Sequence, residues 1–83
     1  MKVSASILSA DYLHLGGDID RAVDAGCDYL HIDVMDGHFV LNLAIGLGTV
    51  QALKQENTLR KDVHLMIAQP ERFIDQFAEA GCD

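Results

Sequence analysis

Eighty-three residues with 49% hydrophobic and 23% charged side chains make an ordinary globular composition, and no apolar run is long enough to span a bilayer. A net charge of −7, with only six Lys and Arg scattered along the chain, excludes a binder of phosphate backbones, so neither nucleic acid nor membrane is an expected partner. The N-terminal run from Met1 to Ser9 is too short and too interrupted by serine for a signal peptide, which leads to the expectation of a cytoplasmic protein.

Lys2 to Leu8 alternates and reads as a first strand, with Lys2, Ser4, Ser6 and Leu8 on one face and Ser6 near its C-terminal end. A short turn of helix follows around Asp11 to Leu15, with Asp11 as its cap. Gly16-Gly17 breaks the pattern, and Asp18 to Ala25 forms the first helix, placing Ile19, Ala22 and Val23 inward. Gly26 stops it. Tyr29 to Gly37 is the second strand: Tyr29, His31, Asp33 and Met35 share one face, and Leu30, Ile32 and Val34 the other. It ends at the turn pair Asp36-Gly37.

The loop from His38 to Gly46 carries Phe39, Val40, Leu41, Leu43 and Ile45, too apolar for a solvated segment, and is expected to pack on something. Leu47 to Gln55 is the second helix, with Leu47, Val50 and Leu53 inward, and Glu56-Asn57-Thr58 returns the chain. Lys61 to Ile67 is the third strand, with Asp62, His64 and Met66 on one face and Val63, Leu65 and Ile67 on the other. Pro70 opens a third helix with an apolar stripe of Phe73, Ile74, Phe77 and Ala78, and Gly81 ends it. Such alternation of strand and helix implies an α/β fold with a parallel sheet and right-handed crossovers. The tetrad Ala-Gly-Cys-Asp occurs at 25–28 and again at 80–83. Cys27 and Cys82 within it read as small buried thiols at helix-to-strand junctions rather than as a disulfide. Three strand–helix units fall short of the eight that close a barrel, so the segment reads as the N-terminal part of a larger, apparently truncated domain.

In parallel sheets of this kind, chemistry gathers at the C-terminal ends of the strands. Ser6, His31, Asp33, Met35, His64 and Met66 all fall there on one face. Two imidazoles and a carboxylate suit a divalent transition metal with open positions for substrate. On spacing alone, a metal site and a set of histidines held by internal hydrogen bonds stand side by side. Met35 and Met66 read either as core filler or as a polarisable cover over an anionic intermediate. His14 and His38 fall in turns at the surface, and Asp36 is a turn former.

The motifs Ser6-Ile7-Leu8-Ser9-Ala10-Asp11, His31-Ile32-Asp33-Val34-Met35-Asp36-Gly37-His38-Phe39-Val40 and Asp62-Val63-His64-Leu65-Met66 closely resemble those of the ribulose-phosphate 3-epimerases, over the whole chain and in the same order. The resemblance implies a TIM (β/α)8 barrel, of which residues 1–83 would be three βα units. It also implies metal-dependent interconversion of D-ribulose 5-phosphate and D-xylulose 5-phosphate in the pentose phosphate pathway, by proton transfer at C3 through an enediolate. By the same resemblance His31, Asp33 and His64 are metal ligands for Zn, Fe, Mn or Co, and Asp33 is also the acid/base catalyst. Ser6, His64, Met35 and Met66 are then substrate-binding residues, and the full-length protein is a homo-oligomer acting on a phosphorylated ketose. A second catalytic Asp, also a metal ligand, and glycine-rich phosphate loops belong to the family's C-terminal half, so the 83 residues alone are expected to be inactive and prone to association.

Leu41, Leu47-Gly48 and Arg60 stand where the family often has proline, each loosening a turn by about 0.4–1 kcal/mol where the backbone is compatible. Related phosphate-sugar decarboxylases and aldolases carry Asp-x-Lys-x-x-Asp on the third strand; here His64 takes the lysine position and Ile67 that of the second Asp, which favours the epimerase. The alternatives are an allulose 6-phosphate 3-epimerase and an inactive truncated chain that only binds metal or a partner polypeptide.

Overall fold

The computed structural model describes residues 1–56 and 58–83, so Asn57, in the expected return turn, lies outside the described residues. Its central element is the alternating stretch from Tyr29 to Asp36. The chain runs β1 (Ser4–Ser6), a 3-10 turn (Tyr12–His14), α1 (Leu15–Asp24), β2 (Tyr29–Asp36), β3 (Leu43–Ala44), α2 (Leu47–Leu53), β4 (Arg60–Met66), a second 3-10 turn (Pro70–Arg72) and α3 (Ile74–Glu79). β1 pairs parallel with β2, Ser6 opposite His31, and β4 pairs parallel with β2, Asp33 opposite His64 and Met35 opposite Met66.

A fourth strand, β3, pairs antiparallel with the end of β2, Met35 opposite Ala44 and Asp36 opposite Leu43. Since β4 fills one edge of β2 as far as Met35, β3 takes the other edge, beyond the point where β1 stops. The α/β sheet is therefore mixed, which corrects the expectation of a purely parallel one. The turn that returns the chain is local: Gly37 at φ +72 reverses direction, and the Asp36 carboxylate accepts the N–H groups of His38 and Phe39, both at 2.8 Å.

Burial follows the period of two. Leu30, Ile32 and Val34 are buried against Ile19 of α1, Val50 and Leu53 of α2, and Phe77 of α3. Each such side chain removed from water contributes about 1.5–3 kcal/mol. Tyr29, His31, Asp33 and Met35, on the opposite face, are each only partly buried.

Parity also puts Lys61 in the oily layer with Val63, Leu65 and Ile67. It is the one buried charged side chain among the described residues. Its ammonium donates to the Leu59 carbonyl at 2.7 Å, to the Glu56 carbonyl, and to the Glu56 carboxylate at 3.2 Å. Burial pushes the Glu56 carboxyl up, but the N–H groups of Leu59 and Thr58 together with Lys61 outweigh it and hold it at about 2.

Several boundaries differ from the sequence expectation. β1 is Ser4–Ser6 rather than Lys2 to Leu8, because local bonds take over at both ends: Val3 N–H donates to Asp28 Oδ2 at 2.8 Å, and the Ile7 carbonyl accepts the Ala10 N–H at 3.0 Å. α1 starts at Leu15, so Gly16-Gly17 lies inside its first turn instead of before it; the 3-10 turn feeds straight into the helix. α2 ends at Leu53 rather than Gln55, and β4 starts one residue early, at Arg60.

Pro70 opens a 3-10 turn, and α3 begins only at Ile74. Of the expected stripe only Phe77 is buried, joined by Ala80, while Phe73, Ile74 and Ala78 are exposed. Phe39, Leu41 and Leu43 of the apolar loop are exposed, against the expectation that the loop packs; within the loop Ile45 is packed against the core. Cys27 and Cys82 are free thiols as expected, but half-buried rather than buried.

Candidate metal centre

The polar side of β2 and β4 brings together what the alternation placed on one face. Asp33 and His64 face each other across the β2–β4 ladder, and His31 is two residues back on β2, on the same side. Asp33 Oδ1 lies 2.9 Å from His31 Nε2 and 3.3 Å from His64 Nδ1. One ligand atom from each of the three residues falls within 4.8 Å of the others, a span a single cation can bridge. Asp33 is largely buried, its side chain 13% exposed, whereas His31 and His64 are 28% and 58% exposed. A carboxylate at the base with two imidazoles toward solvent leaves approach from the open face.

Sequence reading gave no role to Asp62, which the structure adds to this group. Its Oδ2 lies 2.9 Å from His31 Nδ1, so the ring is flanked by a carboxylate at each nitrogen. The Asp62 hydrogen bond, opposed by partial burial and helped by Asp33, raises the His31 pKa above its ordinary value. Parity alone, Asp62 with His64, was the signal available in the sequence, because contact across 31 residues needs the β2–β4 register, which sets His31 opposite Asp62.

The remaining candidates fall around this group to differing degrees. Ser6 is opposite His31 and points to the same face, with its hydroxyl accepting the Leu8 N–H. Met35 and Met66 are half-buried and opposite each other at the next step of the same face beyond Asp33 and His64. His14 is at the surface, paired with Asp11 at 2.9 Å, and Asp11 accepts the Leu13 N–H as the expected cap. His38 is exposed. Asp36 does more than form its turn: it also accepts the Ala68 N–H at 2.8 Å, and that bond, with the His38 and Phe39 amides, holds its carboxyl below the usual range.

The donor set fits a divalent transition ion. Imidazole nitrogen and carboxylate oxygen are the ligands such ions take, and three protein donors leave positions free for exchangeable groups.

The chain is similar to known proteins over nearly its whole length. The chain is 52% identical over 83 residues to the ribulose-phosphate 3-epimerase of Bacillus subtilis (strain 168), covering all of this chain and 38% of that relative. It is 48% identical over 81 residues to that of Synechocystis sp. (strain ATCC 27184 / PCC 6803 / Kazusa), covering 98% of this chain and 35% of the relative. It is 42% identical over 80 residues to the cytoplasmic isoform of Oryza sativa subsp. japonica, covering 96% of this chain and 35% of the relative. The chain thus spans little more than a third of the length of these relatives. Among the described residues no helix is long and apolar enough to cross a membrane. The model of the ribulose-phosphate 3 epimerase family matches residues 2–83, nearly the whole chain, and the chain belongs to that family.

Proposed function

We propose that residues 1–83 are part of a (β/α)8 barrel and that they supply the metal-binding portion of a 3-epimerase for phosphorylated ketoses, with D-ribulose 5-phosphate and D-xylulose 5-phosphate as the interconverted pair. The observation that carries this reading is the convergence of His31, Asp33 and His64 within 4.8 Å on one sheet face. Membership of the ribulose-phosphate 3 epimerase family supports the barrel reading.

Epimerisation at the carbon beside a ketone removes a proton from one face and returns one to the other. His31, Asp33 and His64 would hold a divalent ion, Zn, Fe, Mn or Co, which when bound acts as a Lewis acid toward the substrate oxygens. Asp33 is the group of this chain that moves the C3 proton. Its largely buried carboxylate is positioned by the two imidazoles, and general acid–base work of this kind contributes roughly 10²–10⁴-fold. Ser6 and His64 bind substrate on the open side of the group. Met35 and Met66, paired across the ladder, cover the enediolate with polarisable surface that excludes water. A second carboxylate on the opposite face and the phosphate site come from residues outside this segment. The protein acts in the cytoplasm as part of the pentose phosphate pathway, as a homo-oligomer.

The test is exchange of the substrate C3 hydrogen with solvent deuterium, followed by NMR, in the full-length protein carrying Asp33→Asn with its metal content confirmed. Loss of exchange from one epimer with metal retained supports the role of Asp33. Wild-type exchange overturns it.

A further inference from the structure

His31 is the only imidazole among the described residues with a carboxylate oxygen at hydrogen-bond distance from each ring nitrogen: Asp62 Oδ2 at Nδ1 and Asp33 Oδ1 at Nε2, both 2.9 Å. A neutral ring carries one proton and therefore donates to one of the two. The choice decides what the ring can do. If Nε2 holds the proton, the nitrogen that faces Asp33 and His64 is a donor and has no lone pair for a cation. If Nδ1 holds it, Asp62 is the acceptor and the Nε2 lone pair points toward the shared Asp33 oxygen, which His64 Nδ1 also approaches.

We propose that Asp62 is a positioning residue: it holds His31 in the Nδ1–H tautomer and so presents Nε2 as the coordinating atom. The assignment rests on the reading of His31, Asp33 and His64 as a metal centre. Asp62 is suited to the task by its place. It is opposite His31 in the β2–β4 register, so the backbone ladder rather than a loop sets the contact. Its side chain is 52% exposed, on the rim of the cluster, so it touches His31 without competing for the central position. Carboxylate partners of metal-bound imidazoles act in this way, and their loss lowers metal affinity roughly 10–100-fold.

The experiment uses the full-length protein with Asp62→Ala and Asp62→Asn. Two quantities are read: the nitrogen chemical shifts of the His31 ring in the metal-free protein, at alkaline pH where the ring is neutral, and the affinity for cobalt(II) by chelator competition. Wild type is expected to show Nδ1 protonated. Asp62→Ala is expected to move the proton to Nε2, where Asp33 accepts it, and to bind cobalt roughly 10–100-fold more weakly. Asp62→Asn keeps an acceptor oxygen and is expected to restore the wild-type tautomer and part of the affinity. An unchanged tautomer in Asp62→Ala overturns the proposal, whatever the cobalt result. A wild-type protein that binds no cobalt, but whose His31 tautomer still follows Asp62, overturns the metal reading and with it the presentation of Nε2 to a metal, and keeps only the control of the tautomer by Asp62.

Discussion

The carboxylate of Asp36, the last residue of β2, accepts the backbone N–H of Ala68, two residues past the end of β4, at 2.8 Å. With its bonds to His38 and Phe39 it ties together the loops that leave two neighbouring strands, at the end of the sheet where Met35 and Met66 lie. Asp36→Ala is expected to lower the urea midpoint and to speed amide hydrogen exchange at Ala68, His38 and Phe39. Asp36→Asn, which keeps one acceptor oxygen, is expected to do less. Exchange at Ala68 that is unchanged in Asp36→Ala would refute the tie.

Gly37 separates two causes of strain. At φ +72 any side chain is disfavoured, and a Cβ there would also lie 2.9 Å from Leu43 Cδ2. Gly26, at φ +86, has nothing within 4 Å of the same atom. Gly26→Ala is expected to cost about 1 kcal/mol from backbone conformation alone. Gly37→Ala is expected to cost more, with the excess removed by adding Leu43→Ala; thermal unfolding of the two single variants and the double variant measures it.

Glu56 gives stability a pH dependence of known sign. Its carboxyl is held at about 2 against an ordinary 4.5, so the folded state favours the charged form. That contribution is complete above the ordinary value and is lost as the pH falls from there through about 2. Glu56→Gln is expected to lose on the order of 2 kcal/mol at neutral pH and to flatten the acid limb of the stability curve. Urea unfolding at a series of pH values checks both, and an equally steep acid limb in Glu56→Gln would point to other carboxylates.

Metal content tests the ligand set directly. The double variant His31→Ala, His64→Ala leaves Asp33 as the lone donor of the three, and elemental analysis of the purified full-length protein is expected to show the metal gone. Undiminished metal content sinks the assignment.

Alternation made much of this molecule readable in advance. Leu30, Ile32 and Val34 inward, with His31 and Asp33 on the other face, follow from a strand period of two, and the helix stop at Gly26 follows from its positive φ. What escaped was set by register and by competition among local bonds. β3 is two residues long, and no periodicity shows in so short a piece. Gly16-Gly17 reads as a break, yet a helix tolerates glycine in its first turn when the preceding 3-10 turn delivers the chain already wound. Lys61 is buried because parity places it there and Glu56 stands within reach, a pairing visible only once the turn before β4 is folded. The exposed Phe39, Leu41 and Leu43 show that an apolar run in a loop does not by itself place its side chains in the core.

The repeated Ala-Gly-Cys-Asp works as a latch. Asp28 takes the Val3 N–H at 2.8 Å while its own N–H donates to the Val3 carbonyl at 2.9 Å. Asp83 makes the same two bonds with Lys61, at 3.0 and 2.9 Å. From the first latch, the paired Ser6 and His31 each lie three positions along, Ser6 from Val3 and His31 from Asp28. The latch thus acts as the zero mark of a ruler, and the site is read off at an equal count along both strands. One residue inserted between Asp28 and His31 would keep the fastening and spoil the count, sending His31 and Asp33 into the oily layer and Ile32 out to the open face.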